Sequence, residues 1–213
     1  MYKRQAVIRS GGYVVKNASV RIVPKQNGQE IRYSVSDENV RTAGGIPVFG
    51  LYPDWLNTVE VEYDRVFNGK TEHFSDRYQL YAAPVFLRSN GTPGQTHTTF
   101  NVKVLKMDPA FKDRLYFINN LIPTPPDASR VVWNNPMGGA LEWAFGPENA
   151  IVDSTGTVRW YLNPDVEMYD PDQPYKAGIM MGFEQTADGG LLFGYGQRYA
   201  KYDICLLYTS PSP

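Results

Sequence analysis

The sequence predicts an all-β protein: a β-sandwich-like domain in the first half and the incomplete start of a β-propeller in the second. Three observations carry this. Tyrosine, at 15 of 213 residues, joins Trp, Phe, Val and Thr in favouring sheet over helix. Glycine and proline, at 19 and 16, suit many short strands joined by tight turns. The first half alternates strand and turn signals and shows no helix of normal length.

The elements follow in order. Tyr13-Val-Val-Lys-Asn17 and Ala18-Ser-Val-Arg-Ile-Val23 read as two β-branched or alternating strands, and Gln26-Asn-Gly28 as a turn. Glu30-Ile-Arg-Tyr-Ser-Val35 is a further strand, and Ala43-Gly-Gly45 a further turn. In Asn57-Thr-Val-Glu-Val-Glu-Tyr63 the residues Val59, Val61 and Tyr63 point one way while Glu60, Glu62 and Asp64 point the other. That is the pattern of a sheet with one face on a core and one in water. Asn68-Gly69 is a type I′ hairpin signal, from which the chain returns through Thr71-Glu-His-Phe74. Thr98 to Leu105 alternates as a closing strand. Gly50-Leu-Tyr-Pro-Asp-Trp55 is a compact aromatic turn that packs a corner or an interdomain face, in preference to lining a site. His73 and His97 have no partners at metal spacing and read as surface or structural histidines.

These signals divide the chain into a β-sandwich-like domain over residues 6–105, a junction over 106–127 and a partial propeller over 128–204. Ile122-Pro-Thr-Pro-Pro126 in the junction is incompatible with a regular helix or a central strand. Beyond it, Leu141-Glu-Trp-Ala-Phe145 is a short strand, and residues 150–162 are two strands around Asp153-Ser-Thr-Gly156. Residues 178–183 and 191–196 flank the turn Thr186-Ala-Asp-Gly-Gly190, and Ala200-Lys-Tyr-Asp203 then echoes Ala150-Ile-Val-Asp153 about fifty residues later. That period and the short turn-bounded strands suit propeller blades, with Trp143 and Trp160 filling space between them. A second sandwich is the alternative. Roughly one and a half blades cannot close a ring, so this portion is expected to be marginal alone.

Bulk properties exclude several functions. A net charge of −1 leaves no electrostatic footprint for nucleic acid or an anionic membrane. No apolar run is long enough to span a bilayer. The single cysteine, Cys205, lies near the C-terminus, so residues 6–204 hold no thiol chemistry or thiolate metal site.

Ile46-Pro-Val-Phe-Gly-Leu-Tyr-Pro-Asp-Trp-Leu-Asn-Thr-Val59 resembles the N-terminal domain of bacterial arylsulfate sulfotransferases. Arg130-Val-Val-Trp-Asn-Asn-Pro-Met-Gly-Gly-Ala-Leu-Glu-Trp143 and Asp153-Ser-Thr-Gly-Thr-Val-Arg-Trp-Tyr161 look like the start of that family's propeller. The resemblance implies a periplasmic homodimer with a six-bladed propeller and no cofactor. The implied reaction moves a sulfuryl group from a phenolic sulfate ester to a phenol through a histidine intermediate. The family's catalytic histidines belong to later blades and match neither His73 nor His97, so no catalytic residue is assigned and this chain alone is expected to be inactive. Substrate-contact candidates are Tyr195 and Tyr199 as aromatic walls at the ring's mouth. Arg198 is either a sulfate-attracting charge or a solvated strand end, and Asn134, Asn135 and Pro136 form either a channel loop or a turn that sets blade register.

Two other readings compete. A non-enzymatic propeller for binding or assembly would share the blade grammar without convergent His and Arg. A quinone-dependent dehydrogenase-like propeller would need calcium-binding carboxylates and tryptophan motifs in each blade, which Trp143 and Trp160 alone do not supply. Residues 1–5 and 205–213 read as translated sequencing adapter, so residues 6–204 are expected to be an internal piece of a longer protein.

Overall fold

A computed structural model describes residues 6–85, 87–88, 96–97, 102–123, 145–162, 181–187, 189–195, 198–202 and 208–211. The chain is all-β apart from one short helix and a single 3₁₀ turn among these residues.

The first half contains β1 (Ala6–Arg9), β2 (Val14–Ile22), β3 (Ile31–Val35), α1 (Asp37–Ala43), β4 (Gly45–Val48), β5 (Trp55–Phe67) and β6 (Lys70–Ala82). An antiparallel sheet in the order β3-β2-β5-β6 forms one layer. The β1–β4 pair and α1 complete the other. Between them lie Val20, Ile22, Ile31, Val59 and Val61 from the large sheet, and Val40, Ile46 and Val48 from the cover. Burying each aliphatic side chain contributes roughly 1.5–3 kcal/mol, which makes this cluster the principal stabilising element of the half. The alternation over residues 57–63 is as expected: Val59 and Val61 are fully buried and Glu60 and Glu62 face outward.

Local chemistry explains the rest. The two strands expected over residues 13–23 are one strand with a bulge between Lys16 and Ser19. Asn17 sits there at φ 50°, a conformation that asparagine tolerates, and its freed N–H donates to Asp37 Oδ1 at 3.2 Å. The segment 37–43 is a helix because Ser36 caps it by accepting from Asn39 N, Asp37 and Glu38 favour its first turn, and Gly44 ends it in the left-handed region. The turn expected at residues 43–45 is therefore a helix C-cap. Asn68 and Gly69, both at positive φ, close the β5–β6 hairpin as their sequence demands.

On the wet face, Arg21 and Arg32 lie opposite each other in the β2–β3 ladder. Their repulsion is offset by Glu30 and Glu60, each of which accepts from Arg21 at 2.6 Å. On the other face Tyr63 stacks on Phe74, and both Tyr63 and Tyr78 donate to Asp76 Oδ2. Behind the strands, the buried Asn57 accepts from Tyr52 N at 2.7 Å and donates to the carbonyls of Tyr52 and Trp55.

The second half has β7 (Leu87–Arg88), β8 (Thr96–His97), a 3₁₀ turn (Pro109–Phe111), β9 (Leu115–Pro123), β10 (Phe145–Asp153), β11 (Val158–Leu162), β12 (Met181–Gln185), β13 (Leu191–Tyr195), β14 (Arg198–Tyr202) and β15 (Tyr208–Pro211). These form antiparallel sheets in the orders β11-β10-β9 and β12-β13-β14-β15, and a short β7–β8 pair. The Asp153-Ser-Thr-Gly156 hairpin is as expected. One expectation is corrected. Residues 102–105 are in no strand, although Val102 packs against the second-half cluster; residues 98–101 lie outside the described residues. The junction also contributes β9, an edge strand on which Pro123 is terminal, so the prolines that follow need not enter a ladder. The segment 205–213 includes β15, which pairs with β14.

Asn57→Ala should lower stability by about 2–3 kcal/mol, since it orphans the buried Tyr52 N–H and carbonyl; the shift in urea midpoint at unchanged m-value checks it. Tyr63 has a second testable property. Burial first, then its bond to Asp76, push its pKa from 10.0 up to about 12. The folded state thus favours the neutral phenol, and the associated stability is full below pH 10 and lost as pH rises through about 12. A tyrosinate absorbance titration should show a late-ionising phase, part of which moves to lower pH in Asp76→Asn.

Candidate functional site

Of the substrate-contact candidates, the β13–β14 hairpin sets Tyr195 opposite Arg198 and Gly194 opposite Tyr199. Residues facing one another across an antiparallel ladder share a face. In register, Tyr195, opposite Arg198, is two and four positions along from Phe193 and Leu191, and Tyr199 lies opposite Gly194, two positions from Leu192. The backbone brings the first tyrosine to the arginine and separates the two tyrosines. Asn134 and Asn135, with Trp143, lie outside the described residues.

His73 is exposed, with Nδ1 2.9 Å from Asp64 Oδ1, and His97 is in β8 opposite Leu87. Asp64 also accepts from Asn17 Nδ2 at 2.8 Å, and these two bonds, the Asn17 bond first, hold its carboxyl below the ordinary range. Among the described residues no group of three or more His, Cys, Asp or Glu is placed to hold a metal ion, and no helix is long and apolar enough to cross a membrane.

The densest polar constellation joins the two halves. It begins with a bulge. Ile151 pairs with Trp160 and Val152 with Val158, so Arg159 is the extra residue of β11. The bulge turns its side chain out of the ladder's alternation and toward the first half. Arg159 Nε donates to Gly50 O at 2.8 Å, and Nη1 donates to Gln29 O at 3.1 Å and to Asp153 Oδ2 at 2.6 Å. Its guanidinium carbon lies 3.6 Å from the centroid of the Tyr52 ring. Both charged partners are buried, with side-chain exposures of 1% for Arg159 and 0% for Asp153.

Each partner is held in turn. Asp153 Oδ1 accepts from Thr155 N, Thr155 Oγ1 and Thr157 N, closing the turn that Gly156 makes possible at φ 83°. A β-carbon at Gly156 would also sit 2.8 Å from Val102 O. Tyr52 donates its hydroxyl to Gln29 O at 2.6 Å. Burial pushes the Tyr52 phenol up, opposed by the Arg159 charge. Gln29 bridges the halves with its side chain too, accepting from Ser154 N at 2.8 Å and donating to Arg114 O at 3.2 Å.

This arrangement is a joint and not a reaction centre. The Asp153 carboxylate accepts four hydrogen bonds, the guanidinium is sealed from solvent, and the Thr155 hydroxyl beside them is spent on Asp153. The aromatic turn at residues 50–55 packs between the halves, as one of its two sequence readings holds, and Trp160 is buried. Arg159 itself escaped the sequence reading. Its signal was an arginine within Val158-Arg-Trp-Tyr161, across a tight turn from an aspartate.

Comparison with known proteins agrees with this two-part organisation. Residues 5–83 match the family model of the arylsulfotransferase Ig-like domain, and residues 101–206 that of the arylsulfotransferase itself. The chain belongs to the arylsulfotransferase family. Arylsulfate sulfotransferase AssT of Lelliottia amnigena is 30% identical over 215 residues, covering 93% of this chain and 35% of the relative. AssT of Escherichia coli O6:H1 (strain CFT073) is 29% identical with the same coverage. The chain thus spans about a third of the length of the curated relatives it matches. Within this family member, the joint ties the Ig-like match to the match that follows it.

Gly28→Ala tests the joint's packing. An added β-carbon would collide with the Tyr52 hydroxyl and lie 2.9 Å from its ring carbon Cζ. The substitution should cost about 1–3 kcal/mol by displacing that ring from beneath Arg159, read as a drop in thermal midpoint with loss of near-ultraviolet circular dichroism.

Proposed function

We propose that the protein to which this chain belongs is an arylsulfate sulfotransferase, transferring a sulfuryl group from a phenolic sulfate ester to a phenol. The observation that carries the reading is the tandem family match together with relatives of that name aligned over 93% of the chain. The chemistry runs in two displacements. An imidazole nitrogen attacks sulfur, the sulfur–aryl oxygen bond breaks, and the phenolate leaves and takes up a proton. An acceptor phenol then gives up its proton, its oxygen attacks the same sulfur, and the nitrogen–sulfur bond breaks. The covalent step divides one difficult transfer into two. Fixed cationic and hydrogen-bonding groups stabilise charge on the sulfuryl oxygens.

In this reading the nucleophilic histidine lies beyond Ile204, in later blades of a six-bladed propeller whose opening spans residues 128–204, and the enzyme is a periplasmic homodimer. The antiparallel up-and-down run β12-β13-β14 supports a propeller, whose blades are built from such sheets. Tyr195 and Arg198 are a substrate-facing pair, an aromatic wall beside a cation, supported by their pairing in the β13–β14 ladder. Tyr199, Asn134 and Asn135 lie at the channel mouth.

The full-length protein, given p-nitrophenyl sulfate, should release p-nitrophenol in a strongly phenol-dependent manner, and the 213-residue chain should release none. Phenol-independent release from the folded full-length protein would mean hydrolysis with water as acceptor and would overturn the transferase reading; absent release would leave a binding or assembly module as the better description.

A further inference from the structure

Among the described residues, the apolar core of the first half and the apolar cluster around Ala150, Val152, Val158 and Tyr161 share no residue. The described bonds between the halves are polar: Arg159 to Gly50 and Gln29, and Gln29 to Ser154 and Arg114. The difference matters physically. Apolar surfaces adhere in many registers, whereas a buried ion pair is tolerated in one. A displaced docking leaves Arg159 and Asp153 out of water without the Gly50 and Gln29 carbonyls, the costly state for a buried charge.

The donors and acceptors are also divided between the halves. The hairpin supplies both charges, and the first half supplies two backbone carbonyls and the Tyr52 ring. The carbonyls are presented by a backbone that other residues hold in place. Gly50 is at φ 81°, where a β-carbon would lie 2.8 Å from Ile31 Cδ1, and the Tyr52 backbone is pinned by Asn57. The first half is therefore organised by its own core, and its receptor site for Arg159 does not need the hairpin.

We propose that Arg159, Asp153 and Gln29 form an interdomain latch, through which the preformed β domain templates the β9–β10–β11 sheet in a single register. The sheet's stability is conditional on the latch, and the β domain's is not. The latch rests on side-chain geometry alone and is independent of the reading of catalytic activity.

Hydrogen exchange followed by mass spectrometry on the full chain tests it. In Arg159→Met, amides of residues 115–118 and 145–162 should exchange at least about a hundredfold faster, the scale of a broken buried pair. Amides of β2 and β5 should stay within about threefold of wild type. Gln29→Ala keeps the charges paired and should accelerate the same second-half amides about tenfold, giving an answer if Arg159→Met does not fold. Equal acceleration of both halves in either folded variant would show one undivided core and overturn the latch. Unchanged exchange in residues 145–162 would overturn it as well.

Discussion

A guanidinium removed from water must find a counter-charge and hydrogen-bond acceptors at fixed positions, and most of the order between the two halves follows from that demand at Arg159. Two of its acceptors are remote in sequence. They are the carbonyls of Gly50 and Gln29, and the third is Asp153 across a four-residue turn. Several otherwise unrelated features are explained by it. The bulge in β11 frees the arginine from its ladder. Gly28 leaves room for the Tyr52 hydroxyl, and Gly50 permits the backbone conformation that aims a carbonyl. Asp153 both closes its own hairpin and neutralises the charge, so local turn formation and long-range docking share one side chain.

Much of the first half was legible because its signals are local and periodic. Val59 and Val61 against Glu60 and Glu62 define a face without reference to anything distant, and Asn68-Gly69 defines a turn by backbone preference alone. The helix at residues 37–43 was obscured by its length. With one buried residue, Val40, it has no apolar stripe, and only Ser36, the acidic first turn and Gly44 mark it. The break read between residues 17 and 18 was a bulge, which disturbs alternation without ending a strand. Residues 102–105 show the converse limit: alternation alone does not make a ladder, which requires a partner strand that no short sequence window contains.

The candidate site was less legible for a similar reason. Tyr195, Arg198 and Tyr199 are close in sequence, and proximity suggested one aromatic surface. Which of them share a face depends on the register across the turn: Tyr195 pairs with Arg198, and Tyr199 with Gly194. The joint was partly readable, since an aromatic turn at residues 50–55 has an interface composition. Its partner was not, because a buried arginine in a sequence looks the same as a solvated one. Family resemblance fared better, since long aromatic and glycine-proline strings identify a lineage even where single residues do not identify a role.

The placement of charge bears on where sulfate chemistry belongs. A sulfuryl group needs donors that are fixed yet unspent, because a cation already neutralised by a carboxylate has little field left to offer a developing oxyanion. Arg21 is engaged by Glu30 and Glu60, Arg65 by Glu72, and Arg159 by Asp153. Arg65 is also stacked against Tyr13 and Phe74, which fixes it to the surface of the hairpin. These arginines serve the architecture. Arg198 lies in β14, opposite Tyr195 in the ladder. In the β domain and at the joint, charge is thus spent on holding strands and halves together.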